Sequence, residues 1–197
     1  MGLLNGKHMF INNLLIDKVE VDACNTGAGM AFRSNWLYIN WKLDWGEASN
    51  LHINYKETLA IVGAAKRWAS LWSNSVVIIK TDNQCAKQVI NKGTTKNKFI
   101  MAQLRELFWL SVLYNFEIKC IYIPGINNCL PDAISRLHEK GQFLRAESLL
   151  SERLHVMIPT GLRFHMSKAS INFLILQIIQ WLHSKPSWTL RFPIFAA

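Results

Sequence analysis

The segment that most constrains the fold is a continuous apolar run at residues 75–81, SVVIIKT, which ends at Asp82. Consecutive β-branched residues favour a strand that is covered on both faces. Apolar residues at helical spacing stand on either side of this run, at residues 55–72 and 99–114. A covered strand between two helices is typical of a sheet with helices packed against it.

The other predicted elements extend this sheet. Short alternating segments with turn signals between them predict an antiparallel meander of three strands at residues 18–24, 29–34 and 36–42. Beyond the central strand we expect a short helix after Asp82, a strand at residues 116–123 and a last helix at residues 131–139. The predicted fold class is therefore α/β, with a mixed five-stranded sheet: three antiparallel strands, then parallel strands, with flanking helices.

Patterning divides the chain into three parts. We expect an N-terminal lead-in at residues 1–17, a folded domain at 18–140 and a helical extension or truncated linker at 141–197. Helix signals in the extension fall at residues 144–154 and 170–182. The apolar run at 171–182 is shorter than the about 20 residues that span a bilayer, so no membrane partner is expected.

Composition narrows the class of protein. Half of the residues are hydrophobic and 18% are charged, which excludes a disordered chain. The four cysteines form no C-x-x-C pair and the N-terminus has no signal-peptide pattern. We therefore expect reduced thiols in an intracellular protein, cytoplasmic or nuclear and not secreted. The net charge of +9 favours a polyanionic partner without naming it.

Four acidic residues stand at unusual places: Asp22 inside the first strand, Glu57 at the start of a long helix, Asp82 after the central strand and Asp132 at the start of the last helix. Structural explanations exist for three of them. Asn54 and Glu57 fit a capping box, Asp82 could be an N-cap, and Asp132 could favour a helix dipole. Asp22 has no such explanation, since Asp is depleted in strands. If the four converge, their mutual repulsion calls for a divalent cation.

Four segments in chain order resemble motifs of one family. VEVDACNTGAGM resembles "DAS..GWG", LHINYKETLAI resembles "HIN..E..A", IIKTDNQCAKQVINKG resembles "TDN..A..YINK", and IYIPGINNCLPDAISRL resembles "HIPG..N..AD.LSR". Together they resemble the ribonuclease H domain of retrotransposon polyproteins. They are most similar to the DIRS group of tyrosine-recombinase retroelements, and gypsy-like elements are more distant. The resemblance covers residues 18–139.

The resemblance implies a ribonuclease H-like fold and hydrolysis of the RNA strand of RNA–DNA hybrids with two Mg²⁺ ions, for which Mn²⁺ could substitute. It implies that Asp22 bridges the ions, that Glu57 and Asp82 hold one, and that Asp132 completes the other. It also implies a reverse transcriptase and a recombinase as partners in an intact element. No Tyr-x-Asp-Asp polymerase motif is present in this sequence. We expect a monomer.

The chain departs from the family pattern at three points. Cys24 replaces the usual Ser and brings a thiol near the acids. The loop before Asp132 contains Asn127 and Asn128 but no His, which puts a His-assisted release of product in doubt. Pro131 replaces an Ala and should shift the start of the last helix.

A basic segment follows the central strand. Its lysines and threonines would grip phosphates, although a solvated loop is the simpler interpretation of a charge run alone. Asn83 is expected to order Asp82 or to touch a 2′-hydroxyl. The predicted nucleic-acid-binding residues are Asn83, Lys87, Lys92, Thr94, Thr95, Lys96, Lys98 and Asn127.

Three functions remain open at this point. The first is an active ribonuclease H. The second is an inactive or domesticated retroelement fragment that binds nucleic acid without cleaving it. The third is an integrase-like nuclease that acts on DNA, against which the TDN and PGINN segments argue.

Overall fold

The computed structural model describes residues 14–157, and five strands in this range form one mixed sheet. The strands are β1 Leu14–Ala23, β2 Gly27–Phe32, β3 Asn35–Asn40, β4 Ser75–Thr81 and β5 Phe116–Tyr122. Their order across the sheet is β3-β2-β1-β4-β5. The β1–β2 and β2–β3 pairs are antiparallel, whereas β1–β4 and β4–β5 are parallel. The predicted ribonuclease H-like fold is confirmed by this order and these directions.

Six α-helices flank the sheet in the described range. They are α1 Trp41–Asp44, α2 Ile53–Trp68, α3 Gln84–Lys92, α4 Lys98–Tyr114, α5 Cys129–Ser135 and α6 Gln142–Met157. The helix α1 was not predicted, and the predicted strand at 36–42 is wrong at its end. The reason is local: the Asn40 side chain accepts hydrogen bonds from the backbone nitrogens of Lys42 and Leu43, which starts a helical turn.

Two predicted helix caps are wrong. The N-cap of α2 is His52, whose Nδ1 accepts from the backbone nitrogen of Asn54 over 3.2 Å, so Asn54 and Glu57 form no capping box. The N-cap of α3 is Asn83, whose Oδ1 accepts from the Ala86 nitrogen over 2.9 Å, so Asp82 is not the cap. Neither Glu57 nor Asp82 is therefore needed to begin a helix.

The C-terminal part of the described range differs from the predicted bounds. Helix α5 begins at Cys129, two residues before Pro131, and ends at Ser135, whereas a helix over 131–139 was predicted. Although α5 begins earlier than predicted, Pro131 still lies in its first turn, where the missing N–H of proline costs no hydrogen bond. The second extension signal, at residues 170–182, lies outside the described residues. The described residues up to Leu150 belong to one compact unit, and the described residues 151–157 fall outside it.

The core lies mainly between the sheet and the two long helices. Trp68, the last residue of α2, and Trp72, four residues later, pack against Phe32, with ring centroids 5.6 and 6.1 Å from that of Phe32. On β4, Val77 and Ile79 are fully buried, while the alternate residues are only half-buried. The central strand is thus less completely covered on its second face than its apolar run predicted.

A smaller apolar cluster covers the other side of β2. It joins Ala31 of that strand to Leu130, Ala133 and Ile134 of α5 and to Ala146 of α6. Gly29 lets α5 come this close, because a Cβ at this position would overlap the carbonyl oxygen of Pro131. This contact holds α5, which carries Asp132, against β2, the neighbour of the strand that carries Asp22.

The structure also bears on two expectations from composition. The four cysteines are free. Within residues 14–157, no helix is long and apolar enough to cross a membrane.

Candidate active site

Three carboxylates converge at one edge of the sheet. Asp22 lies on β1, Glu57 on the first turns of α2 and Asp82 directly after β4. One oxygen of each lies within 4.8 Å of the others. Because β1 and β4 are adjacent and parallel, their carboxyl ends lie side by side at one edge of the sheet. The first turns of α2 lie close to these ends. Asp22 and Glu57 are 5% and 4% exposed, and Asp82 is half-buried.

The electrostatics of this cluster disfavour three bare charges. Burial, with weaker repulsion from Asp82 and Asp132, raises the pKa of Asp22 to about 7. Burial and the neighbouring charges of Asp22 and Asp82 raise the pKa of Glu57 to about 9. The pKa of Asp82 is also raised, first by burial and then by Asp132. A cation among the three would favour the ionised forms.

One buried oxygen of this cluster has no hydrogen-bond partner in the described structure. Glu57 Oε2 is inaccessible to water and accepts no hydrogen bond. An unpaired buried carboxylate oxygen is costly unless something positive binds it. The donors of the cluster are all carboxylate oxygens, which suit hard divalent ions such as Mg²⁺ and Mn²⁺. The residues present therefore fit a divalent cation.

The fourth predicted acid lies beside this cluster and is held by arginines. Asp132 Oδ1 accepts from Arg136 Nε over 2.8 Å, and Asp132 Oδ2 accepts from Arg145 Nη1 over 3.1 Å. Asp132 is not one of the three acids within 4.8 Å of one another. Its charge still raises the pKa values of Asp22 and Asp82, so it lies in the same electrostatic neighbourhood.

Three uncharged residues support the acids, and the sequence analysis had missed them as site residues. The Ser135 hydroxyl donates to Asp22 Oδ2 over 2.7 Å, and Asn128 Nδ2 donates to the Val21 carbonyl over 2.9 Å. Gly125 packs against Asp82, whose Oδ2 would lie 3.0 Å from a Cβ at that position. All three fall in the segment that resembles "HIPG..N..AD.LSR", which is the signal that could have found them.

Cys24 is also part of this neighbourhood. Its sulfur donates to the Ser135 carbonyl over 3.2 Å and accepts from the Gly27 nitrogen over 3.3 Å. The thiol therefore ties the turn after β1 to the end of α5, a structural use of the residue that replaces Ser.

The predicted nucleic-acid-binding residues divide into two groups. A groove of about 400 Å³ beside the start of α2 is lined by Lys92, Thr94 and Thr95, together with Asn54 and His52. Asn83 is linked to this groove, because its Nδ2 donates to Asn54 Oδ1 over 3.1 Å. The groove lining does not include Lys87, Lys96, Lys98 or Asn127.

Comparisons with known proteins give similarity to part of a viral polyprotein. The chain is 31% identical over 91 residues to the enzymatic polyprotein of cauliflower mosaic virus, strain Strasbourg, covering 46% of this chain and 13% of the relative. The polyprotein of strain D/H is 31% identical over 87 residues, covering 44% and 12%. The chain thus spans about an eighth of the length of these relatives. No family model matches the chain.

Solved structures with a similar fold include an archaeal ribonuclease H1. Ribonuclease H1 from the halophilic archaeon Halobacterium salinarum NRC-1 matches with a TM-score of 0.44 and 12% sequence identity, covering 61% of this chain and 98% of that protein. The assignment of the fold rests on strand order and direction, and the chemistry of the site rests on the three acids.

Proposed function

We propose that this chain is a ribonuclease H-like nuclease that uses divalent cations to hydrolyse the RNA strand of RNA–DNA hybrids. The observation that carries the proposal is the convergence of carboxylate oxygens of Asp22, Glu57 and Asp82 within 4.8 Å of one another, together with the buried, unpaired Oε2 of Glu57. The similarity of 91 residues to a viral enzymatic polyprotein supports an origin in a retroelement polyprotein. We place it in the DIRS group on its sequence motifs.

In this proposal, Asp22, Glu57 and Asp82 hold the first cation and Asp132 contributes to a second. Two divalent ions bound there would polarise the attacking water and stabilise the leaving oxygen. The protein's part is to fix the ligands: Ser135 orients Asp22, and Gly125 leaves room for the Asp82 carboxylate. Burial of Asp22 and Glu57 keeps water from competing for their oxygens.

We propose that the hybrid lies along the groove beside α2. Lys92, Thr94 and Thr95 supply a positive charge and hydroxyl donors for phosphates. The Asn83 side chain donates one amide hydrogen to Asn54 Oδ1, and its Oδ1 accepts a hydrogen bond from the Ala86 nitrogen. Its second amide hydrogen is left to donate to a 2′-hydroxyl. Lys87, Lys96, Lys98 and Asn127 would act outside this groove.

The wider setting is also part of the proposal. We propose an intracellular monomer that works as one module of a longer polyprotein, beside a reverse transcriptase and a recombinase. The short coverage of the viral relatives, 13% of their length, is consistent with one module among several.

The decisive test is cleavage of an end-labelled RNA–DNA hybrid by the full chain in Mg²⁺. We expect cleavage of the RNA strand that is abolished by EDTA and by Asp82→Asn. The control is Glu117→Gln, which removes an acid of β5 outside the three-acid cluster. Cleavage of a DNA duplex, with the hybrid left intact, would instead indicate a DNA nuclease.

A second candidate function is a domesticated fragment that binds nucleic acid without cleaving it. The observation that favours it is the engagement of both Asp132 oxygens by arginines. Folded protein that retards the hybrid in a gel but leaves it intact in Mg²⁺ and in Mn²⁺ would establish this function and contradict the first.

A further inference from the structure

The ion pair between Asp132 and Arg145 joins the candidate site to a helix outside the region of family resemblance. That region ends at residue 139, and Arg145 belongs to α6, which begins at Gln142. Arg145 Nη1 lies 3.1 Å from Asp132 Oδ2. We propose that Arg145 is a positioning residue that controls whether Asp132 can serve as a cation ligand. This inference rests on the proposed function, because it concerns the second cation of that site.

The first step is the state of the Asp132 carboxylate. Arg136 occupies one oxygen and Arg145 occupies the other. Two guanidinium charges beside the carboxylate neutralise it and repel an approaching divalent cation. The three-acid cluster bears no such pairs among the salt bridges of the described residues. The first cation therefore meets no ion-paired cationic side chain in the cluster, whereas the second must compete with Arg145.

The second step is that Arg145 is the arginine that can leave. Arg136 lies four residues after Asp132, and its Nε approaches to 2.8 Å. Arg145 makes the longer contact, and its side chain is 47% exposed. Ion pairs this exposed are weak, because water solvates both partners when they separate. A divalent cation can thus displace Arg145 into solvent while Arg136 keeps its own bond.

The third step is how α6 brings Arg145 to this place. The neighbouring Ala146 is 3% exposed and packs with Ala31 of β2 and with Ala133 and Ile134 of α5. This packing fixes the first turns of α6 relative to α5, on which Asp132 lies. The position of Arg145 therefore follows from a buried contact and does not depend on the ion pair itself.

The test is titration of the full, metal-free chain with Mn²⁺ by calorimetry at low ionic strength, where charge effects are largest. We expect one tighter and one weaker site in the native protein. Arg145→Ala should tighten the weaker site about three- to fivefold, the range of an exposed ion pair, and leave the tighter one unchanged. Arg145→Gln should act in the same way, and Arg145→Lys, which keeps the charge, should restore weaker binding.

Two controls make the result specific. Lys140→Ala removes one positive charge from an exposed position close to α6 and should change neither site. Asp132→Asn should abolish the weaker site whether or not Arg145 is present. An unchanged weaker site in both Arg145→Ala and Arg145→Gln, or an equal gain in Lys140→Ala, would overturn the inference. Failure of the proposed function would be recognised separately. In that case the native protein would show no tighter site, or the tighter site would remain in Asp22→Asn.

Discussion

The Ser135 hydroxyl donates a hydrogen bond to Asp22 Oδ2 over 2.7 Å and thereby joins α5 to the acid on β1 across 113 residues of sequence. Ser135 is fully buried, and its hydroxyl also lies 2.9 Å from the Asp132 carbonyl. A hydroxyl has a single hydrogen, so it donates fully to only one of these oxygens at a time. The orientation of Asp22 therefore depends on a side chain of the helix that carries Asp132.

Ser135→Ala should reduce cleavage of the hybrid about 10- to 100-fold and raise the Mg²⁺ concentration that gives half-maximal rate. The reason is that removal of the hydrogen bond leaves the Asp22 carboxylate free to rotate away from the cation. The measurement is the cleavage rate as a function of Mg²⁺.

Ser75→Ala is the matched control for this change. Ser75 is also fully buried, but its hydroxyl donates to the Ser73 carbonyl at the opposite end of β4. We expect Ser75→Ala to leave the Mg²⁺ dependence unchanged. Equal effects of the two substitutions would show that Ser135 acts through stability alone.

The metal-free protein should lose stability as pH rises from about 5 to 9. Glu57 has a pKa of about 9 when folded and an ordinary value of 4.5 when unfolded. Its stabilising effect is therefore fully present below pH 4.5 and is lost as pH approaches 9, because only the unfolded chain ionises freely in that window. Asp22, with a pKa of about 7, adds to the same trend.

Thermal unfolding in EDTA at a series of pH values checks this dependence. Glu57→Gln should flatten it and raise the Tm at pH 8, by roughly 2–4 °C for each 1 kcal/mol gained. Glu117→Gln serves as the control and should leave the profile as it is. Added Mn²⁺ should raise the Tm of the native protein at pH 8 but should not raise the Tm of Glu57→Gln. A native profile that rises between pH 5 and 9 would contradict the assigned burial of Glu57.

Gly29→Ala should destabilise the fold by separating α5 from β2. A Cβ at residue 29 would overlap the Pro131 carbonyl oxygen and lie 2.5 Å from the Ser135 nitrogen, and both atoms belong to the backbone. Such overpacking costs about 1–3 kcal/mol, which corresponds to a Tm lowered by roughly 2–12 °C. Gly46→Ala is the control, since no atom lies within 4 Å of its added Cβ. Equal Tm values for the two variants would show that α5 does not rest on Gly29.

The sheet could be predicted from sequence because its signals are local. The apolar run of β4 and the alternation in β1 identify strands within a few residues of their bounds. The caps could not be predicted in the same way. Asn40, His52 and Asn83 each precede a helix whose start depends on the direction in which the previous segment arrives. Several polar residues nearby are equally good caps by type.

The convergence of three acids could be predicted from the sequence, but the contacts around them could not. Asp22, Glu57 and Asp82, which the structure brings within 4.8 Å of one another, each lie within a segment that resembles a family motif. Asp22 also stands inside a predicted strand, where Asp is rare. The pairing of Asp132 with Arg145 was not foreseen, because it depends on how α6 packs through Ala146.

Lys92, Lys96 and Lys98 should contribute unequally to the salt dependence of hybrid binding. Lys92 lines the groove beside α2, whereas Lys96 and Lys98 are exposed and lie outside its lining. Each phosphate contact contributes about one unit to the slope of log affinity against log salt. We expect Lys92→Ala to reduce that slope by about one, and the triple Ala variant by between one and three.

Lys119→Ala, which removes an exposed charge of β5, is the control and should leave the slope unchanged. A slope that is unaltered in the triple variant, measured by fluorescence anisotropy in EDTA, would remove this segment from the nucleic-acid interface.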